Sequence, residues 1–423
     1  MSGAGSQNSF RGRLGLALRD ERLKLVAGIV LLAIGAFMLT TLLLHQAQDP
    51  AGQYGIDFGD YRQASLRMLD GHTPYAPEML QGPVPAQGVD RYRYPPPFAL
   101  IVAPIAVLPA TPAATAWLFV QTGCILAALL LAVRSTGRPI RAKHIVWCGV
   151  AMCYFFPIFG DLWQGNVDGP LALFAALAFT GARGSRAAPG ATERDAASLP
   201  TTGGGDFLLG VGSGAAAWLK VSPAVWLAPA MLRRYSLLGA GAVTALIVLP
   251  SALVAPQAWL DYARVLPNML AGSADYATNL APGQLVAEVA GAPAAAGTAT
   301  RWVVLAVVVA LVLGAIWLER REVDRRLVVL LGVAASLLLP AALWYHYLVV
   351  LLPFGVAAWL ESRARFVRAG LVVGAVCISL ALGIGLALAT FGAVLFAVSA
   401  ARGLWSVRAA PTRGDPALSV APS

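Results

Sequence analysis

Long apolar runs separated by short polar breaks make up this sequence from about residue 25 to residue 401. Runs of this kind suit helices that cross the roughly 30 Å hydrocarbon core of a bilayer. The pattern therefore predicts an all-α polytopic membrane protein with about twelve transmembrane helices. The predicted spans are 25–45, 112–133, 144–159, 167–182, 207–219, 221–232, 236–255, 301–319, 327–342, 347–360, 369–385 and 387–401.

Composition agrees with a bilayer environment. Of 423 residues, 58% are hydrophobic and only 12% charged, about half the charged fraction of a soluble protein. The first apolar run has no small-residue cleavage site at its end, so we interpret it as a permanent span. The four cysteines fall inside apolar runs, which favours buried thiols over a disulfide framework. Basic residues stand singly at helix ends, which indicates membrane orientation and no nucleic-acid partner.

The distribution of basic residues predicts the orientation of the chain. With the N-terminus in the cytoplasm, 24 of the 31 lysines and arginines fall in cytoplasmic segments, as the positive-inside rule requires. The protein is then expected in the cell membrane, with both termini in the cytoplasm. The predicted cytoplasmic segments are 1–24, 134–143, the disordered linker 183–206, 233–235, 320–326, 361–368 and the disordered tail 402–423, and the transmembrane domain is 25–401.

Two long outer loops, 46–111 and 256–300, stand out against short cytoplasmic breaks. Long loops without a core of their own are usually functional, so the active site is expected to face the outside. In the first loop, an amphipathic pattern predicts a short helix that ends at Gly71, with Asp57 just before it. Asp57 is either the N-cap, with Asp60 completing a capping box, or a partly desolvated general base.

Arg91 and Arg93 precede the apolar segment 98–108, which is too short to span a bilayer. They either clamp a phosphate or extend to the lipid headgroups. Lys220 stands in an otherwise uncharged run, where a bare ammonium costs roughly 2.5–3.5 kcal/mol. With Pro223 it predicts a break between two half-helices. Its partner is either a structural ion pair or, as we favour, a ligand phosphate.

Two further turns fall at outer helix ends. Trp163, Gln164 and Asn166 offer an aromatic face and amides that suit a sugar, although tryptophan at an interface is often only a belt residue. His346, beside Trp344, is either a packed interfacial residue or a donor to phosphate or sugar hydroxyls.

In their order along the chain, these motifs resemble glycosyltransferase family 87. The residues that carry the resemblance are Asp57-Phe58 with Tyr61 and Ala64, the closure 69–75, Tyr94-Pro95-Pro96, Gln164-Gly165-Asn166, Lys220 with Pro223, Asn279, and the segment 340–347 with Trp344 and His346. The sequence departs from the family pattern at Leu339, Leu343 and Tyr347.

The resemblance implies a C-type membrane glycosyltransferase fold and a polyprenyl-phosphate sugar donor, with mannose the best guess. It implies an acceptor hydroxyl on a lipid or glycan, an inverting single displacement, and neither a cofactor nor a metal. Asp57 would be the catalytic base. The expected donor-phosphate ligands are Lys220, Arg91, Arg93 and His346. The expected sugar or acceptor contacts are Asp60, Tyr61, Tyr94, Trp163, Gln164, Asn166, Asn279 and Trp344.

Two alternatives remain open from the sequence. Broken helices and a membrane-embedded lysine also occur in transporters and lipid flippases, although no internal repeat relates the two halves of this chain. A different C-type enzyme, such as a protein O-mannosyltransferase or a polymer ligase, is the other.

Overall fold

A computed structural model describes residues 20–48, 54–84, 90–184, 201–271, 279–282, 295–321, 324–340 and 342–409, and all of its regular elements are helical. The α-helices are α1 (Glu21–Gln48), α2 (Ile56–Leu69), α3 (Pro96–Ala106), α4 (Ala110–Ser135), α5 (Ala142–Tyr154), α6 (Phe156–Gln164), α7 (Asp168–Gly184), α8 (Thr201–Leu219), α9 (Leu227–Ala230), α10 (Arg234–Val254), α11 (Pro256–Ala271), α12 (Ala295–Arg320), α13 (Arg325–Leu338), α14 (Leu352–Glu361), α15 (Arg365–Ile384) and α16 (Leu386–Ala409). Three 3₁₀ segments are Pro77–Leu80, Ser222–Trp226 and Tyr345–Leu351.

Five helices in the described residues are long and apolar enough to cross a bilayer. The bent pair α5 and α6, which meet at 73°, makes a sixth if the two form one span. Other apolar helices are too short to cross alone, so the all-helical membrane class is confirmed and the count of about twelve stays a prediction. The five are Glu21–Gln48, Ala110–Ser135, Arg234–Val254, Thr300–Arg320 and Ala387–Trp405.

Large apolar side chains cover the outside of the molecule. Phe37, Leu246 and Leu253 are 73%, 75% and 82% exposed. In water such a surface would be unfavourable, whereas lipid tails solvate it.

Helix α7 lies at the centre, and few of its described side chains reach the surface. It packs against α4, α8, α13, α14 and the segment Tyr345–Leu351. At Gly212 a β-carbon would lie 2.5 Å from the carbonyl oxygen of Phe174, so only glycine permits this approach of α8 to α7. The close packing fixes the first residues of α7 relative to the end of α8.

A buried charged group lies at the start of α8. Arg325 donates to Asp206 at 2.6 Å and lies 3.1 Å from Glu319 of α12. About 21 Å of helix separates Asp206 from Lys220 at the other end of α8. Charged groups therefore lie at both ends of α8, and the sequence-predicted site residues lie at the end with Lys220.

Several predicted boundaries differ from the structure. Residues 183–184 and 201–206 of the predicted linker are helical, and 185–200 lie outside the described residues. Residues 402–409 of the predicted tail continue α16, and 410–423 also lie outside. In the predicted outer loops, the short helix expected before Gly71 is present as α2, and α3 and α11 are helical as well. Helices α3 and α11 each begin at a proline, which is tolerated in the first turn because its missing N–H has no intrahelical partner there.

Candidate active site

The turn between α6 and α7 positions the residues of the site. Gly165 ends α6 in the left-handed conformation, with φ at 72°. The carboxylate of Asp161 accepts hydrogen bonds from the backbone N–H groups of Asp168 and Gly169, each at 3.1 Å, and its carbonyl accepts from the N–H of Asn166 at 3.0 Å. Asp161 thus satisfies the first amides of α7 and stands where the helix dipole favours a negative charge.

Helix α4 holds this turn from a second side. The side-chain amide of Gln121 donates to the carbonyl oxygens of Asp161 and Asn166, at 2.9 and 2.7 Å. The indole N–H of Trp117 donates to the carbonyl of Gly165 at 2.8 Å. Sequence reasoning missed Asp161 and Gln121. For Gln121 the available signal was a lone amide in an apolar span, since such a group needs a partner.

Asp57 reaches this turn from α2. Its Oδ2 accepts from the side-chain amide of Asn166 at 2.5 Å. The N–H of Gly55 donates to the carbonyl of Trp163 at 2.7 Å, and Phe58 stacks on Trp117 with ring centroids 5.7 Å apart. The first loop and the α6–α7 turn therefore form one structure.

The capping interpretation of Asp57 is wrong. The N-cap residue is Gly55, which makes no side-chain cap, and Asp57 lies inside the first turn of α2. Asp60 does not reach back to form a capping box, because its carboxylate accepts from the N–H of Asp90 at 2.7 Å. The fold presents Asp57 to the site and uses Asp60 to hold the loop before α3.

Burial raises the pKa of Asp57 to about 7. The hydrogen bond from Asn166 opposes this shift, the negative charge of Asp60 adds to it, and the positive charge of Lys220 opposes it. A carboxylate that titrates near pH 7 is suited to general base catalysis, since its strength as a base is then greatest while it remains ionised.

Lys220 directly follows α8, and the predicted break after it is confirmed by the 3₁₀ segment Ser222–Trp226. Its ammonium lies 3.3 Å from Oδ1 of Asp168 and 3.2 Å from the ring centroid of Tyr347. The structure therefore contains the ion pair that was the alternative to a phosphate partner. Asp168 is fully buried, so this pair compensates a charge that would otherwise be costly.

His346 contacts both residues of the α6–α7 turn that bind Asp57 and Lys220. Its Nε2 lies 3.2 Å from the side-chain nitrogen of Asn166 and 3.7 Å from Oδ2 of Asp168. Asp57, Asn166, Asp168, Lys220 and His346 thus form a continuous chain of contacts, although they come from four distant parts of the sequence. We call these five residues the central cluster.

The remaining predicted residues of the first loop lie beside the central cluster. Tyr61 donates to the hydroxyl of Tyr94 at 3.0 Å, and both rings pack on Phe98. Arg91 and Arg93 are half-buried near Asp60. Burial raises the pKa of the Asp60 carboxyl, and a hydrogen bond from the Arg91 backbone and the positive charge of Arg93 oppose this shift.

The other predicted residues differ in their surroundings. The side-chain oxygen of Asn279 accepts from the N–H groups of Leu343 and Ala281, at 2.8 and 2.9 Å, so this buried side chain joins the second long loop to the segment before His346. Trp163 is half-buried and stacks on Phe159, and Gln164 and Trp344 are half-buried as well. In the described part of the chain, no three His, Cys, Asp or Glu residues are grouped as metal ligands.

Fold and site together define a helical membrane protein with a half-buried carboxylate and a half-buried ammonium in one cluster. The family model of Glycosyltransferase family 87 matches residues 92–345, more than half of the chain. The chain belongs to this family and is a membrane glycosyltransferase. The matched range includes Asn166, Asp168 and Lys220, whereas Asp57 and His346 lie outside it. No curated protein and no solved structure matches the chain.

Replacement of Gly165 by alanine is expected to disturb the site. The left-handed conformation costs a residue with a β-carbon about 1–2 kcal/mol, and that carbon would lie 2.8 Å from Cβ of Phe58. Gly165→Ala should lower both thermal stability and sugar transfer. The matched control is Gly314→Ala in α12, where the added carbon meets no atom within 4 Å and stability should hold or rise. Equal behaviour of the two variants would contradict this role of the turn.

Proposed function

We propose that this protein transfers a sugar, mannose as the first choice, from a polyprenyl-phosphate donor to a hydroxyl of a lipid or glycan acceptor. One observation carries the proposal: Asp57, whose pKa is about 7, belongs to the same chain of contacts as Lys220 and His346. Family membership supports sugar transfer over transport. The apolar surface of the protein suits a donor with a polyprenyl chain, since that chain would stay in the lipid.

The proposed reaction is one displacement. Asp57 takes the proton of the acceptor hydroxyl as its oxygen attacks the anomeric carbon. The bond from that carbon to the phosphate oxygen breaks, and its electron pair stays on the polyprenyl phosphate. Attack opposite to the leaving group inverts the anomeric centre. Lys220 and a ring N–H of His346 stabilise the charge that develops on the phosphate.

The charges of the cluster support a phosphate site at Lys220. Without donor, Asp168 and the ring of Tyr347 hold the ammonium. The ammonium of Lys220 is half-buried and has three donor hydrogens, so it would bind a phosphate while it stays bound to Asp168. Arg91 and Arg93, half-buried near Asp60, are proposed to attract the anionic donor and to contact its phosphate or sugar.

The site is proposed to face the outside of the cell membrane, with both termini in the cytoplasm. The distribution of lysines and arginines supports this orientation. In the described residues, the group around Arg325 and Asp206 lies at the opposite end of α8 from Lys220, as that orientation expects.

Asp57→Asn should reduce transfer by about 10²- to 10⁴-fold, because general base catalysis is lost. In the wild type, kcat/KM should fall below about pH 7 as Asp57 takes up a proton. Transfer is measured with purified protein, polyprenyl-phosphate mannose and membrane lipid extract, with the product identified by mass. The control is Asp70→Asn, an exposed carboxylate at the end of the same helix, which should behave as wild type. A folded Asp57→Asn protein with wild-type turnover would refute the base assignment.

Lys220→Met should abolish donor binding and also destabilise the protein by about 3–5 kcal/mol, since Asp168 is then a buried charge without its cation. The double variant Lys220→Met with Asp168→Asn should regain most of the stability and still fail to bind polyprenyl phosphate. Thermal unfolding in detergent and binding of polyprenyl phosphate separate the two effects.

Asp168→Asn alone keeps the ammonium and is expected to bind polyprenyl phosphate at least as tightly as wild type. If the stable double variant binds the lipid phosphate normally, Lys220 is a structural residue and not a donor ligand.

A further inference from the structure

The side chain of Asn166 lies between the proposed base and the proposed phosphate ligand. Its Oδ1 accepts from the N–H of Val167 at 2.6 Å, which fixes the orientation of the amide group. Its Nδ2 therefore points toward Oδ2 of Asp57, at 2.5 Å, and toward Nε2 of His346, at 3.2 Å. The two hydrogens of one NH₂ group are thus shared between two different partners.

This arrangement determines where the proton of His346 resides. Nδ2 of Asn166 only donates, so a hydrogen bond at 3.2 Å requires Nε2 of His346 to accept and places the ring proton on Nδ1. The carboxylate of Asp168, at 3.7 Å from Nε2, is beyond hydrogen-bond distance. A protonated Nε2 would place two N–H groups against each other, so the contact also disfavours the imidazolium.

The Nδ1 atom of His346 has no hydrogen-bond partner among the described residues, and His346 is only 1% exposed. Buried N–H groups nearly always have a partner. A phosphate oxygen of the sugar donor is an anionic acceptor and would satisfy this N–H.

We propose that Asn166 is a positioning residue that keeps Asp57 as a hydrogen-bond acceptor and His346 in its Nδ1–H form at the same time. One amide group then couples the base to the leaving-group ligand, and Asn166 acts through these residues instead of contacting the sugar. The inference rests on the proposed function only for its effect on transfer, since the tautomer of His346 is a property of the protein itself.

The sharpest variant is Asn166→Asp, which is nearly isosteric. It keeps an oxygen for the N–H of Val167 and replaces both N–H donors by a carboxylate oxygen. Two carboxylates in contact raise the pKa of the pair, so the acid limb of the kcat/KM profile should move up by about one pH unit or more. Turnover at pH 7 should fall at least about fivefold, because the ionised fraction of the base falls with that shift. A purely structural role would lower the amount of folded protein and leave the acid limb in place.

Two controls accompany this variant. Asn268→Asp removes a half-buried amide contact, from Asn268 to the carbonyl of Met79, at a site away from Asp57, and its acid limb should match wild type. The exchanged double variant, Asp57→Asn with Asn166→Asp, restores an amide-to-carboxylate hydrogen bond with its direction reversed. It should fold and remain inactive, because the base is displaced. An exchanged variant with wild-type turnover would overturn the proposal.

The tautomer gives a readout that does not depend on transfer. Protein labelled with ¹⁵N-histidine, with His346 assigned through His346→Gln, should show the Nδ1–H form in the wild type and the Nε2–H form or imidazolium in Asn166→Asp. A wild-type Nε2–H signal, or an unchanged tautomer in Asn166→Asp, would overturn the proposal. Failure of the wild type to transfer sugar, with the tautomers as expected, would refute the proposed function and leave the positioning role of Asn166 standing.

Discussion

The buried carboxylate of Asp161 binds the first two amides of α7, and the rest of the site is built on that contact. A carboxylate in this place accepts from backbone amides that have no partner within the helix, and it shapes the turn that precedes α7. The turn in turn directs Asn166 toward α2 and Asp168 toward Lys220. Gln121 holds the same turn from α4, so four helices converge on a single loop of a few residues.

Three aspartates near this loop differ in what compensates their charge. The helix start of α7 serves Asp161, the ammonium of Lys220 serves Asp168, and only the amide of Asn166 serves Asp57. Among the described residues, Asp57 has no positively charged side chain in contact with it and accepts no hydrogen bond from the start of α7. Chemically identical side chains thereby receive different roles. In this account two of them hold the site together and the third is left basic enough to take a proton.

Much of this could be predicted from the sequence, because hydrophobic runs and proline breaks are local signals. The helical class, most helix positions and the break after Lys220 follow from residues close in sequence. The partners within the site do not. Nothing near Lys220 indicates Asp168, which lies 52 positions away, and Gln121 is 40 positions from Asp161. Capping is one of the two interpretations that the sequence offers for Asp57, because capping is a local rule, whereas its partner Asn166 comes from the turn between α6 and α7. The number of membrane crossings also depends on how short helices combine, which hydrophobicity alone does not determine.

The most direct test of this account is a structure determined with polyprenyl phosphate bound. The phosphate should lie within about 4 Å of the Lys220 ammonium, accept a hydrogen bond from Nδ1 of His346, and leave Asp57 facing the position of the anomeric carbon. The polyprenyl chain should leave the site into the lipid. A phosphate bound elsewhere, with Lys220 held only by Asp168 and Asp57 out of reach, would contradict the account.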